Sequence, residues 1–135
     1  MERKEYLNSA GVRFLKINFN EILEELKRYA QLKGRSHGTR AIVLAGSLAK
    51  GTYTGTSDAD VLIIADEIPR KSLDRYALFQ DSSLTIDLEP RIYTSSEFLR
   101  KVEQGDHFAV EALEEGIPLF GGLFLKKLKS KHSTV

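Results

Sequence analysis

The sequence predicts an α/β (α+β) fold in which a small mixed β-sheet carries helices mainly on one face. Two short, continuous apolar runs have the length and composition of strands buried on both faces. A third segment alternates partly between apolar and polar residues, as a strand does. Segments of helical periodicity stand before, between and after these three runs, which is the pattern of a layered domain.

The first predicted element is an amphipathic helix from Asn18 to Lys33. Asn18 and Glu21 have the spacing of a capping box, in which two side chains satisfy the free amides at a helix start. Gly34 supplies a stop signal. The inward face of this helix is predicted to consist of Ile22, Leu23, Leu26, Tyr29 and Ala30.

The central part of the chain predicts a strand, a loop, a second strand and a helix. The strands are the apolar runs Ala41–Ala45 and Val61–Ile64, and the loop between them is rich in Gly, Ser and Thr. The helix is predicted over Arg70–Gln80, after Pro69, with Leu73, Ala77 and Leu78 facing inward.

The third strand is predicted over Leu84–Tyr93, with Thr85, Asp87 and Glu89 on its polar face. Thr94 and Glu97 form a second capping box, and the helix that they open ends at Gly105. Asp106 caps a further helix that runs to Glu115, before the terminators Gly116 and Pro118.

A length of 135 residues predicts one domain, with a core at residues 18–121 and a basic tail at residues 122–135. Residues 126–135 of this tail are predicted to fray. Twenty basic and nineteen acidic residues give a net charge of +1, so charge offers no reason to expect a nucleic acid or a membrane as partner. The absence of cysteine excludes disulfides and thiolate metal sites, and a cytoplasmic setting is the simplest expectation.

Residues suited to an anion follow the first buried strand. Gly46 allows a bulky anion to approach the backbone closely, and the Ser47 hydroxyl can donate to a phosphate oxygen. Lys50 lies one helical turn further and adds a positive charge. Gly46-Ser47 alone is more often a simple turn, so its meaning depends on what stands near it.

Asp58 and Asp60 lie at the start of the second strand, and Asp87 lies on the polar face of the third. Asp58 and Asp60 share one face of a strand, and their mutual repulsion is relieved by a divalent cation such as Mg²⁺. Asp87 approaches them if the third strand pairs beside the second. Three carboxylates can hold two metal ions about 4 Å apart, and Asp87 can also accept a proton from an acceptor group.

This combination resembles the signature of the DNA polymerase β-like nucleotidyltransferase superfamily. Gly46-Ser47 is followed after ten residues by Asp58-Ala59-Asp60, and Asp87 has the spacing of the third carboxylate of that family. The short chain is similar to its minimal branch, the MNT proteins, over roughly residues 39–121. Many minimal members carry Arg where this chain has Lys50, which keeps the charge but loses bidentate geometry.

The resemblance implies binding of ATP or another NTP with Mg²⁺, and transfer of the nucleoside monophosphate with release of pyrophosphate. By match, Asp58 and Asp60 ligate both ions, Asp87 ligates the catalytic one, and Gly46 and Ser47 hold the outer phosphates. Relatives in this branch are often encoded beside a helical HEPN protein. Some add AMP to that partner as the antitoxin of a toxin–antitoxin pair.

The sequence is also compatible with two other functions. The chain can be a binding module that neutralises a partner, with weak or vestigial nucleotide binding. It can also transfer onto a small molecule or an RNA end, with a partner chain or homodimer completing the acceptor site. Glu89 and Arg91 are predicted to form a surface ion pair, and Tyr53 is a candidate for stacking on a base.

Overall fold

The computed structural model describes residues 5–7, 13–15, 18–52 and 58–133. Tyr53 therefore lies outside the described residues. No helix within these ranges is long and apolar enough to cross a lipid bilayer. Six strands and six helices lie in the described ranges, in the order β1 (Glu5–Leu7), β2 (Arg13–Leu15), α1 (Phe19–Lys33), β3 (Thr39–Ala45), α2 (Gly46–Lys50), β4 (Ala59–Ala65), α3 (Ser72–Leu78), β5 (Leu88–Tyr93), α4 (Ser95–Glu103), α5 (His107–Glu115), β6 (Ile117–Phe120) and α6 (Gly122–Ser133).

The main sheet has four strands in the order β5-β4-β3-β6. β3 runs antiparallel to both β4 and β6, whereas β5 runs parallel to β4. Every residue of Ala41–Ala45 and of Val61–Ala65 is buried, as the two apolar runs predict for central strands covered on both faces. This mixed sheet confirms the predicted fold class. β1 and β2 form a separate antiparallel pair.

Helices cover both faces of the main sheet, which differs from the expectation that they lie mainly on one. Alternate residues of β3 and β4 point to opposite faces, so each strand feeds two apolar clusters. α1 packs on one face through Ile22, Leu26 and Ala30. α4, α5 and α6 pack on the other, with Phe98, Val102, Ala109, Ala112, Leu113 and Leu125 buried there.

Both predicted capping boxes begin helices, although they differ in completeness. The Asn18 side chain accepts a hydrogen bond from the Glu21 amide at 3.3 Å at the start of α1. At α4 the exchange is reciprocal: Thr94 Oγ1 accepts from the Glu97 amide, and the Glu97 carboxylate accepts from the Thr94 amide. The start of α4 is therefore fixed by local chemistry that the sequence predicts.

β5 begins at Leu88, four residues later than the predicted start at Leu84. The Thr85 amide donates to the Glu25 carboxylate of α1 at 2.8 Å, and its hydroxyl donates to the same carboxylate. This backbone donor is therefore satisfied by a side chain. Partial alternation in the sequence does not distinguish a strand from a segment tied to a helix in this way.

The inward face of α3 also differs from the prediction. Leu73 is 82% exposed and Ala77 is exposed, whereas Phe79, just after the helix, is fully buried. Arg75 turns inward instead: it donates to the Ile92 carbonyl at 3.2 Å and makes two hydrogen bonds to the Glu97 carboxylate, at 2.7 and 3.1 Å. Arg75 therefore faces inward from α3, whereas Leu73, which the apolar periodicity places inward, faces outward.

β6 is an additional strand at the sheet edge, where the sequence predicts only termination by Gly116 and Pro118. Proline has no amide hydrogen and is therefore tolerated in a sheet mainly at edges. Pro118 lies on the outermost strand, β6, where it is exposed, and it pairs with Val43 of β3. A proline that ends a helix thus also begins an edge strand here.

The C-terminal segment is helical, so the prediction of a fraying tail at residues 126–135 is wrong for the described part. Leu125 is 6% exposed, and Phe124 and Leu128 pack against the same cluster. Lys129 Nζ donates to the Glu114 carbonyl at 3.1 Å. The apolar residues recur every three to four positions among lysines, so basic composition hides an amphipathic helix.

The Arg75–Glu97 pair predicts an acid-sensitive contribution to stability. Chiefly through the Arg75 hydrogen bonds, the pKa of Glu97 falls from 4.5 to about 2. The stabilisation is therefore fully present above about pH 4.5 and is lost as the pH falls toward 2. Because Glu97 is partly exposed, we expect Glu97→Gln to lower the free energy of unfolding by only about 1 kcal/mol near neutral pH.

The measurement is urea unfolding of wild type and Glu97→Gln at several pH values from 7 down to about 3. The difference between the two proteins should shrink as the pH falls. Glu103→Gln, on the same helix but exposed, is the matched control and should track wild type throughout. A gap for Glu97→Gln that stays constant with pH would contradict the assignment.

Candidate functional site

Three chain segments meet at one end of the main sheet, where β3 stops and β4 and β5 start, and this end is named the acidic edge. β3 ends at Ala45, which lies opposite Asp60 near the start of the antiparallel strand β4. β5 runs parallel to β4, and its first residue, Leu88, lies opposite Ala59. The end of β3 and the starts of β4 and β5 therefore share this edge, and α2 follows directly after Ala45. Side chains that are distant in sequence are brought together here.

Asp60 lies at the centre of this edge and is partly buried. It pairs with Glu89 across the β4–β5 register. Gly46 contacts it from the other side: a Cβ atom at position 46 would collide with Asp60 Oδ2. The backbone φ of Gly46 is +68°, a conformation that favours glycine. Position 46 therefore requires glycine for two reasons, its backbone conformation and the space that the Asp60 carboxylate occupies.

Negative charge is concentrated around Asp60. Burial raises the pKa of the Asp60 carboxyl above its ordinary value, and the charge of Glu89 and a side-chain hydrogen bond with Glu89 raise it further. Arg91 acts in the opposite direction, and Asp58 adds a smaller upward effect. Such a group of carboxylates is stabilised by any cation that binds among them.

Asp87 stands one residue before β5, with its side chain exposed. Its carbonyl accepts from the Ala59 amide at 2.8 Å, which places it beside Asp58, one step before the first paired residues of the two strands. It also borders a cavity of about 360 Å³ that Ile86 and Leu88 help to line. Within the described ranges, no three His, Asp or Glu side chains converge into a group that could hold a metal ion.

Ser47 and Lys50 lie on the short helix α2, one turn apart and so on the same side. Lys50 Nζ lies 3.0 Å from Glu111 Oε1 on α5. The second oxygen of that carboxylate, Oε2, lies 3.0 Å from His107 Nε2. The structure thus places the predicted phosphate ligand Lys50 in an ion pair with a residue that the sequence reasoning does not single out.

Arg91 and Glu89 do not form the simple surface pair that their positions predict. Glu89 lies opposite Asp60 in the β4–β5 register and raises its pKa, and the Arg91 guanidinium stacks 4.2 Å from the ring centre of Phe108. The N-terminal half of α5 therefore contacts two cations from different elements, Arg91 through Phe108 and Lys50 through Glu111. The spacing of His107 and Glu111 could have indicated their pairing, but no sequence signal reveals partners 17 or more positions away.

The family comparison covers most of the chain. Residues 19–119 match the family model described as the nucleotidyltransferase domain. A protein of Methanocaldococcus jannaschii named as a protein adenylyltransferase is 36% identical over 62 residues. That match spans 46% of this chain and 42% of the archaeal protein, so the chain covers less than half of the length of this curated relative.

Solved structures with the same fold include two described as toxin–antitoxin structures. One, with AMP-PNP, has a TM-score of 0.58 at 19% identity and covers 80% of this chain and 84% of its own. The other, a MntA-HpeT variant with two aspartate-to-glutamate changes, has a TM-score of 0.57 at 18% identity, with coverages of 87% and 86%. A Sulfolobus solfataricus structure described as a nucleotidyltransferase has a TM-score of 0.51 at 17% identity, with coverages of 74% and 80%.

The contact between Gly46 and Asp60 predicts unequal effects of two glycine substitutions at the ends of α2. Gly51 also has a positive φ, +77°, but a Cβ atom there meets nothing within 4 Å. Gly51→Ala should cost about 1 kcal/mol of unfolding free energy through backbone strain alone. Gly46→Ala should cost about 3 kcal/mol because the Asp60 carboxylate must also move.

Denaturant unfolding of the two variants beside wild type checks this expectation. Gly51→Ala serves as the control for the left-handed backbone conformation. Equal losses of stability for the two variants would show that the Asp60 carboxylate does not require glycine at position 46.

Proposed function

Because the chain belongs to the nucleotidyltransferase domain family, we propose that it binds Mg-ATP and transfers AMP to an acceptor hydroxyl. The observation that carries this proposal is the edge of the sheet at which Gly46 contacts Asp60, with Asp58 and Ser47 beside them in the chain. Glycine, hydroxyl and paired carboxylates at one strand edge suit a triphosphate with its cation. Specificity for ATP, rather than another NTP, is part of the proposal.

The donor chemistry of Asp58 and Asp60 fits Mg²⁺. The ion commonly takes one or two carboxylates and completes its shell with substrate phosphates and water. Like charge around Asp60 favours a bound cation, as its raised pKa indicates. The described side chains do not converge as a three-carboxylate group. The fit therefore extends to a cation on Asp58 and Asp60, whereas a second ion requires Asp87 to turn toward them.

In the proposed reaction, an acceptor oxygen attacks the α-phosphorus of ATP in line. The new bond joins this oxygen to phosphorus, the bond from the α-phosphorus to the bridging oxygen breaks, and pyrophosphate leaves with that electron pair. Asp87 accepts the proton of the acceptor hydroxyl. Ser47 and the backbone at Gly46 hold the outer phosphates. Bound Mg²⁺ supplies charge neutralisation for the phosphate oxygens.

We propose a protein side chain as the acceptor, on a helical HEPN-type partner that this chain modifies as an antitoxin. The comparisons support a protein acceptor and an antitoxin role: the archaeal relative is named as a protein adenylyltransferase, and two structures of the same fold are described as toxin–antitoxin structures. A homodimer that completes the acceptor site is the alternative arrangement.

A second candidate function is a binding module that neutralises its partner without catalysis. Two structures of the same fold are described as toxin–antitoxin structures, which supports neutralisation of a partner by binding. In that case the partner is neutralised equally well by wild type and by a variant that lacks the aspartates.

Replacing both aspartates of β4 tests nucleotide binding directly. The double variant Asp58→Asn/Asp60→Asn should weaken Mg-ATP binding by about 100-fold or more, because both oxygen ligands to the cation lose their charge. Isothermal titration with ATP, CTP, GTP and UTP, each with and without Mg²⁺, measures affinity and base preference.

Asp74→Asn, on α3 and away from the sheet edge, is the matched control and should bind like wild type. Metal-independent binding, or binding that survives in the double variant, would reject the proposed site.

The role of Asp87 separates binding from turnover. As the proton acceptor, Asp87→Asn should lower kcat about 100-fold or more while Mg-ATP affinity changes by less than about threefold. Glu89→Gln is the comparison variant. Glu89 contacts Asp60 and is therefore the other carboxylate that could accept the proton. Steady-state transfer of labelled AMP to the partner, with kcat determined for each variant, distinguishes the two. A large kcat loss in Glu89→Gln with none in Asp87→Asn would transfer the role to Glu89.

A further inference from the structure

Lys50 forms an ion pair with Glu111 in the second turn of α5. Its ammonium lies 3.0 Å from Glu111 Oε1, and the Glu111 side chain is only 17% exposed. The Lys50 hydrogen bond is the main cause of a lowered pKa of Glu111, so this carboxylate stays charged beside the ammonium. The contact joins residues of two different helices, and these residues are 61 positions apart in the sequence.

Glu111 is itself fixed in place. Its other oxygen is 3.0 Å from His107 Nε2, one turn earlier on α5. Ala112 and Leu113, the next two residues, are buried against the sheet and anchor the helix. The position of Glu111 is therefore set mainly by its anchored helix, whereas the Lys50 side chain has four rotatable bonds.

We propose that Glu111 is a positioning residue that holds the Lys50 ammonium beside Ser47 for the triphosphate, an inference that rests on the proposed function. Ser47 and Lys50 share one side of α2, so the same anion can contact both. An ammonium has three donors, and Glu111 accepts one, which leaves others for phosphate oxygens. Ordering Lys50 before the nucleotide arrives reduces the entropy lost on binding.

A double-mutant cycle tests whether Glu111 acts through Lys50. The variants are Lys50→Met, Glu111→Ala, Glu111→Gln and Lys50→Met/Glu111→Ala. Mg-ATP affinity is measured by titration, and KM and kcat by AMP transfer. Lys50→Met should weaken binding about tenfold, and Glu111→Ala about fivefold, because the pair is partly exposed.

The pattern expected of a positioning residue is specific. KM for Mg-ATP rises in Glu111→Ala while kcat is retained, and Glu111→Gln recovers part of the affinity, since its amide oxygen still accepts from Lys50. The double variant binds no more weakly than Lys50→Met alone. Glu115→Gln, exposed and one turn further on α5, stays at the wild-type value.

Three results would overturn the inference. Additive losses in the double variant would show that Glu111 acts independently of Lys50. Tighter binding by Glu111→Gln would show that Glu111 competes with the triphosphate for Lys50. Failure of wild type to bind Mg-ATP would remove the proposed function, and the positioning role with it. Glu111→Gln preserves side-chain shape, so it separates these outcomes from misfolding of Glu111→Ala.

Discussion

The antiparallel pairing of β3 with β4 is the constraint on which the rest of the molecule depends. It joins two apolar segments that are almost wholly buried and places Ala45 opposite Asp60. The residue that follows β3 lies directly against the Asp60 carboxylate, and only glycine leaves space for that carboxylate. Parallel addition of β5 then brings Glu89 to the other side of Asp60. The register that pairs the apolar residues of β3 and β4 therefore also places the carboxylates at the acidic edge.

The approach of Gly46 to Asp60 at one end of the sheet could be predicted because it depends on local spacing. Strand alternation places Asp58 and Asp60 on one face, and a glycine after a buried strand indicates a close approach. The start of β5 could not be predicted, because the Thr85 amide donates to the Glu25 carboxylate of α1 instead of pairing in the sheet. The inward turn of Arg75 likewise depends on a partner 22 positions away. Long-range polar contacts of this kind leave no periodic signal.

Charge around the site is arranged by α5 as much as by the strands. Phe108 stacks against Arg91, and Glu111 pairs with Lys50, so one helical turn orients cations from two different elements. The aromatic contact leaves the guanidinium charge unneutralised, whereas the carboxylate contact offsets the lysine charge. Arg91 therefore keeps more of its effective charge than Lys50, although each carries one unit by formula.

The two margins of the four-stranded sheet share one property. At the β6 margin, Pro118 lacks the amide hydrogen that an incoming strand would use. At the β5 margin, Arg75 already binds the Ile92 carbonyl, and its ion pair with Glu97 ties α3 to α4 there. Unpaired strand margins are common sites of aggregation and of sheet extension by another chain. With both margins blunted, a second chain would associate with the helical surfaces of this protein rather than lengthen its sheet.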